Sequence, residues 1–374
     1  MADIRLTLPK VEKAIGPVIQ VDNFTKAIRL TEPGDQHHLP ELKSIEKLLH
    51  KAIGIEEFSS KLYDWLDKHI QNLQNGSPLS YEQLKSIDDF TLSYFSTKLP
   101  DVELWLVRGF IVGRMIEAAE KMPQGVQSIE LNKIPGTVSS AEKTYNLLAP
   151  ETRALEWIIS DGAKDLVGAS HDTAERVSHI LSGSIKRGES HRNLQKRLEA
   201  EIIEGDGEVG RNWKRVAINE TNSAFNNGYL AQLRTGNWVM GISFPDACDE
   251  CASLIDGKVY PVITKDVLDK FTDNNNEWLW ENAVWVGKDN VGRSRAKNKQ
   301  TNEGLRPRKH EERAMPAVPF HPYCRCRFVR INPYTQFIAN GTMKSAIGRE
   351  AEWSKWYTKE VESRFKKLQE LKIL

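Results

Sequence analysis

Apolar positions recur at three- and four-residue steps over much of the chain, a period that predicts helices. In "EEFSSKLYDWLDKHIQNL", Phe58, Leu62, Trp65, Leu66, His69, Ile70 and Leu73 share one stripe. "NGSPLS" interrupts it, and Ser80 stands where an N-cap would start the next helix, "YEQLKSIDDFTLSYF". A third helix is expected over 101–120. Its apolar run, "VELWLVRGFIVGRMIEAA", is broken by Glu103, Arg108 and Arg114. It therefore falls short of the roughly 18–20 apolar residues that cross a membrane and reads as a buried helix. Residues 1–40 are weakly patterned, and "TEPGDQHHLPE" has the Pro, Gly and Asp of a loop, so an irregular lead-in is expected there.

Residues 121–149 look looser, with two prolines, three serines and two glycines in "MPQGVQSIELNKIPGTVSS", and a boundary is expected within them. Helices resume at "PETRALEWIISDGAKDLV", with Pro150 in the first turn. A separate helix follows in "DTAERVSHILSGSIKRGES", striped by Val177, Ile180, Leu181 and Ile185 and stopped by Gly188. Ser190 then opens "HRNLQKRLEAEII". The helix "NWKRVAINETNSAFNNGYLAQLR" has an odd polar side of Asn219, Glu220, Asn222, Asn226 and Asn227. Asparagine is a mediocre helix former, because its amide competes for backbone bonds. Two readings stay open: a solvated face, or a face on which Glu220 and Asn227 bond to a neighbouring loop.

After Gly236 the period changes. "NWVMGISF" and "GKVYPV" read as short strands, with Asp256-Gly257 as a tight turn. "CRCRFVRI" alternates, with Arg325 and Arg327 on one face and Cys324, Cys326 and Phe328 on the other. Between these strands, residues 286–313 have no apolar period and carry nine Lys/Arg against four Asp/Glu. The end of the chain, "REAEWSKWYTKEVESRFKKLQELKIL", is an amphipathic helix through Trp353, Trp356, Tyr357, Val361, Phe365 and Leu368. The predicted fold is mainly α with a small β module, an α+β chain of helical hairpins, a β-hairpin-like knuckle and a C-terminal helix.

Composition narrows the function classes. The net charge of +1 over 374 residues argues against a chain built mainly to coat nucleic acid. The first twenty residues have no uninterrupted apolar core after a basic end, so no secretory signal is expected. Four cysteines are too few for a disulfide scaffold at this length, which favours synthesis in a reducing cytoplasm. No phosphate loop, GxGxxG, HExxH or GxSxG occurs. The carboxylates form no recognisable acid/base pair, and no enzymatic activity is expected.

The four cysteines fall in two stretches, "FPDACDEC" and "FHPYCRCRF". Cys248-x-x-Cys251 can aim both sulfurs at one point, which is half of a structural zinc site. His321, Cys324 and Cys326 lie about 70 residues further along and can supply the other half. Cys248, Cys251 and Cys324 are the favoured ligands, with His321 or Cys326 as the fourth. Such an ion would close a long loop and offset its entropy, in strands that read as having little core of their own. Two disulfides or four free thiols are the alternatives. A CxxC redox pair lacks its helix-start context here, and a Cys–His catalytic dyad lacks an orienting third group. The stretch 286–313 offers Lys288, Arg293, Arg295, Lys297, Lys299, Arg306, Arg308 and Lys309 as phosphate contacts, or is a solvated loop. Trp278, Trp280 and Trp285, just before it, can stack on bases or anchor the loop to a core.

The succession of "ILSGSIKRGESHRNLQKRL", "RVAINETNSAFNNGYLAQLR", "DACDECASLIDGKVY" and "PFHPYCRCRF" resembles the Mu F-like domain of tailed-phage minor head, or head morphogenesis, proteins. The resemblance covers 150–332. The chain keeps Glu220, Thr221, Ala224, Asn226 and Gly228 of the family's helix pattern but has Ile218-Asn219 where Arg-Thr is usual. Together with the residue pattern this gives three expected regions: a helical region 1–149 that resembles no named family and is expected to face portal or scaffold, the Mu F-like domain with its Cys/His cluster at 150–332, and a C-terminal amphipathic helix at 333–374. The resemblance also implies a virion protein near the portal vertex that bridges portal, scaffolding protein and major capsid protein during head assembly in the host cytoplasm. Some family members travel inside the capsid with the DNA, which adds DNA as an expected partner. The rival expectations are a zinc module that binds phage or host DNA, and a Cys/His hydrolase.

Overall fold

The computed structural model describes residues 40–69, 79–120, 129–187, 189, 191–202, 207–243, 251, 255, 258–271, 278–279, 281–288, 316–320, 323–331 and 361–374. The chain divides into two compact units that are not contiguous in sequence. One comprises 40–111 and 130–224, and the described part of the other comprises 112–120, 129 and segments from 225 onward.

The first unit is helical. It contains α1 (Pro40–Ile53), α2 (Ile55–His69), α3 (Tyr81–Ser96) and the start of α4 (Leu99–Glu120). It continues with α5 (Val138–Tyr145), α6 (Ala149–Lys186), α7 (His191–Ile202) and the start of α8 (Glu208–Ala231). The predicted cap of α3 is present as a capping box: Gln83 N–H donates to Ser80 Oγ at 3.2 Å, and Ser80 N–H to Gln83 Oε1 at 2.8 Å. Phe58, buried on α2, meets Phe95 of α3 with ring centroids 4.8 Å apart. Phe95 in turn stacks on Trp213 of α8 at 4.2 Å. The Trp213 indole N–H donates to Thr173 Oγ1 at 2.9 Å, so the ring is buried with its polar tip satisfied.

Two sequence expectations change here. The helices expected before and after Asp172 are one helix, α6, of 38 residues. Thr173 does not break it, because its hydroxyl bonds back to the Ala169 carbonyl at 2.7 Å. The helix ends at Lys186, before Gly188, which lies outside the described residues, as does Ser190. The loose stretch 121–149 includes the helix α5, started by Thr137 Oγ1 accepting from Ser140 N–H at 3.3 Å.

The described part of the second unit holds a three-stranded antiparallel sheet in the order β2-β1-β3, with β1 Trp238–Ile242, β2 Val259–Pro261 and β3 Arg327–Ile331. In register, Val239 faces Tyr260 on one side and Arg330 on the other. Trp238, Met240, Ile242, Val259 and Val329 line a core completed by Ile263, Leu268, Leu279, Ala283 and Trp285. Leu268 ends the short helix α9 (Lys265–Leu268). Residues 361–370 form α10, which adds Val361 and Leu368, and Phe365 packs against the same core. Trp353, Trp356 and Tyr357 lie outside the described residues. The strands therefore do have a core of their own, contrary to the sequence reading. Its residues come from separated segments, which no local pattern links. Among the described residues no helix is long and apolar enough to cross a membrane.

Candidate metal centre

The site is built on the ends of the sheet. Cys324 and Cys326 lie just before β3, in a stretch whose alternation buries Cys324, Cys326 and Phe328 and leaves Arg325 half-buried. Arg327 departs from the expected alternation and is buried. Tyr323, with φ of 65°, bends the chain immediately ahead of Cys324. Cys251 is tied to β1 through Ile255. The Ile255 N–H donates to the Cys251 carbonyl at 3.0 Å, and a Cβ on Gly241 would run into the Ile255 carbonyl oxygen. Only glycine at 241 leaves room for that approach.

The sulfurs of Cys251, Cys324 and Cys326 all lie within 4.8 Å of one another, and each residue is 1% exposed. Cys251 Sγ and Cys324 Sγ are 3.9 Å apart, across 73 residues of chain, and none of the three cysteines is in a disulfide. Two thiolates at about 2.3 Å from a tetrahedral ion would stand about 3.8 Å apart. The separation fits a shared ion and is nearly twice the roughly 2.05 Å of a disulfide bond. The donor set is chemically suited to a soft or borderline cation. In the metal-free protein the contacts with Cys324 and then Cys326, followed by burial, push the Cys251 thiol well above its ordinary pKa. An ion would have to displace those protons to bind.

Three of the five residues expected to ligate a metal therefore meet, and Cys326 is among them. Cys248 and His321 lie outside the described residues. Of the basic residues expected to meet phosphates, Lys288 is 3% exposed. Its ammonium donates to the Ala283 carbonyl at 2.7 Å and lies 4.3 Å from the Trp285 ring centre. It is held inside the fold rather than presented to solvent. Arg293, Arg295, Lys297, Lys299, Arg306, Arg308 and Lys309 lie outside the described residues.

The polar side of α8 is not a solvated face. Asn219, Glu220, Asn222, Asn226 and Asn227 are all buried. Asn227 Oδ1 accepts from Gly287 N–H at 2.6 Å, a bond to a loop of the kind expected for it. Glu220 instead faces α6, its carboxylate 3.0 Å from where a Cβ on Gly162 would sit. No local pattern in the sequence assigns Asn226 a partner. Its amide donates to the Cys326 carbonyl at 3.3 Å and its Oδ1 accepts from Phe328 N–H at 3.0 Å. The density of asparagine in a helix was the available signal. Further along β3, Arg330 N–H donates to Tyr229 Oη at 2.6 Å, and the Arg330 guanidinium lies 3.4 Å from the fully buried Glu117 carboxylate.

Comparison of the chain with protein-family models, with curated proteins and with solved structures finds no match.

Proposed function

We propose that Cys251, Cys324 and Cys326 hold a structural zinc ion with Cys248 or His321 as fourth ligand, and that the chain is a minor head protein of a tailed phage. The observation that carries the first part is the convergence of three buried sulfurs from segments 73 residues apart. Four protein ligands leave no open position on zinc, so the ion would fasten the Cys251 segment to the start of β3 and supply no reaction. The second part is supported by the Mu F-like succession of motifs at 218–228, 248–260 and 320–328. In this reading the protein bridges portal, scaffolding protein and major capsid protein at the portal vertex during head assembly.

The test is made on a phage that encodes the chain. Deleting its gene is expected to yield aberrant or DNA-free heads, and tagged protein is expected to co-purify with portal protein from infected cells. Normal DNA-filled heads in the deletion strain, with no portal protein retained on the tag, would overturn the assembly role.

A further inference from the structure

Among the described residues β3 is an edge strand, with β1 on one side only. On its other side, a strand directs the polar backbone groups of every second residue outward, and these need partners when buried. At 326, 328 and 330 those groups meet side chains of α8. The Asn226 carboxamide takes both the Cys326 carbonyl and the Phe328 N–H, as a neighbouring strand would. Tyr229, one helical turn on, takes the Arg330 N–H. The first of these contacts is made by the backbone of a cysteine whose sulfur belongs to the cluster.

We propose that Asn226 is a positioning residue for the metal centre: by gripping the backbone at Cys326 and Phe328, it sets where the Cys326 sulfur stands relative to Cys251 and Cys324. This rests on the metal-binding reading above. Its physical basis is that groups which orient ligands, without touching the ion, typically change metal affinity about 10–100-fold when removed. Asn226→Asp is the sharpest probe, because it keeps the shape and the acceptor for Phe328 N–H but loses the donor to Cys326.

The experiment titrates the full chain, stripped of metal, with Co2+ and then displaces cobalt with Zn2+. The d–d absorption reports ligand geometry and the titration reports affinity. Leu368→Ala serves as a control that loosens the core shared with Val329 of β3 but removes neither hydrogen bond to Cys326 and Phe328. Asn226→Asp is expected to bind at least about tenfold more weakly with a shifted cobalt spectrum, while Leu368→Ala keeps the wild-type spectrum and affinity. Asn226→Ser, whose hydroxyl cannot span both backbone groups, replaces Asn226→Asp if the latter loses the wild-type circular dichroism. An Asn226 variant indistinguishable from wild type would overturn the positioning role and leave the metal reading standing. Equal weakening in Leu368→Ala would also overturn it, since the effect would then be general loosening. Wild-type protein that binds neither ion would overturn the metal reading itself.

Discussion

Gly241 is the residue on which the placement of Cys251 turns. A methyl group there would collide with the Ile255 carbonyl, and Ile255 is hydrogen-bonded to Cys251. Gly241→Ala is expected to cost about 1–3 kcal/mol, as overpacking against backbone does. It should also reduce zinc retained per chain; urea denaturation and metal analysis of the purified variant check both. A wild-type midpoint with full metal content would show that the Ile255 segment can move aside. At this scale the sequence was informative about chemistry and poor about burial. The paired cysteine stretches were legible because the thiols are few and grouped. Strand alternation puts Cys326 on the same face as Cys324 but leaves it an alternative to His321 as fourth ligand. The roles of Asn226 and Asn227 were less so, because a helical period marks polar positions as solvated unless their partners are known. Those partners are 60 residues away for Asn227 and 100 for Asn226.

At the scale of elements, caps and stripes located α2, α3, α4, α7 and α8. The continuity of α6 was missed because Asp172 and Thr173 look like a helix start. The back-bond from Thr173 to Ala169 satisfies that hydroxyl within the helix instead. α10 is tied to the sheet by Arg364, which donates to the Val259 carbonyl at 2.9 Å and lies 4.8 Å from the Tyr260 ring centre. Leu368, fully buried on the same helix, should cost about 2–5 kcal/mol when replaced by alanine, read as a lower urea midpoint for the tryptophan-rich sheet core. In the helical unit, Glu57 of α2 accepts hydrogen bonds from Lys61 and from Lys98, which hold its pKa down at about 2. Because the folded value lies below the ordinary 4.5, its stabilising contribution is present above pH 4.5 and is lost as pH falls toward 2. Glu57→Gln is expected to flatten that part of the acid-unfolding curve. High salt should shrink the difference, because the carboxylate is about half exposed, at 48%. An unchanged acid limb in the variant would count against the contribution.

Across the whole molecule, a mainly helical chain with a small β module is legible in the apolar periods. The core of that module is not, because it is assembled from β1, the 259–285 region, β3 and α10. This changes what an ion has to do. With a dozen buried residues already packed together, a metal fastens a sheet that has its own apolar stabilisation, and is not the sole reason the strands fold. Chelation is therefore expected to lower the thermal midpoint of the sheet unit, followed by emission of Trp238, Trp278 and Trp285, while most of the helical circular dichroism persists. Complete unfolding on chelation would mean that the core contributes far less than its burial implies. In the proposed centre, sulfurs from two distant segments share one ion. Its most direct measurement is native mass spectrometry of the purified chain combined with zinc X-ray absorption. One zinc per chain is expected, with at least three sulfur neighbours at about 2.3 Å. A metal-free protein with four freely alkylated thiols, or one carrying a Cys251–Cys324 disulfide, would contradict it.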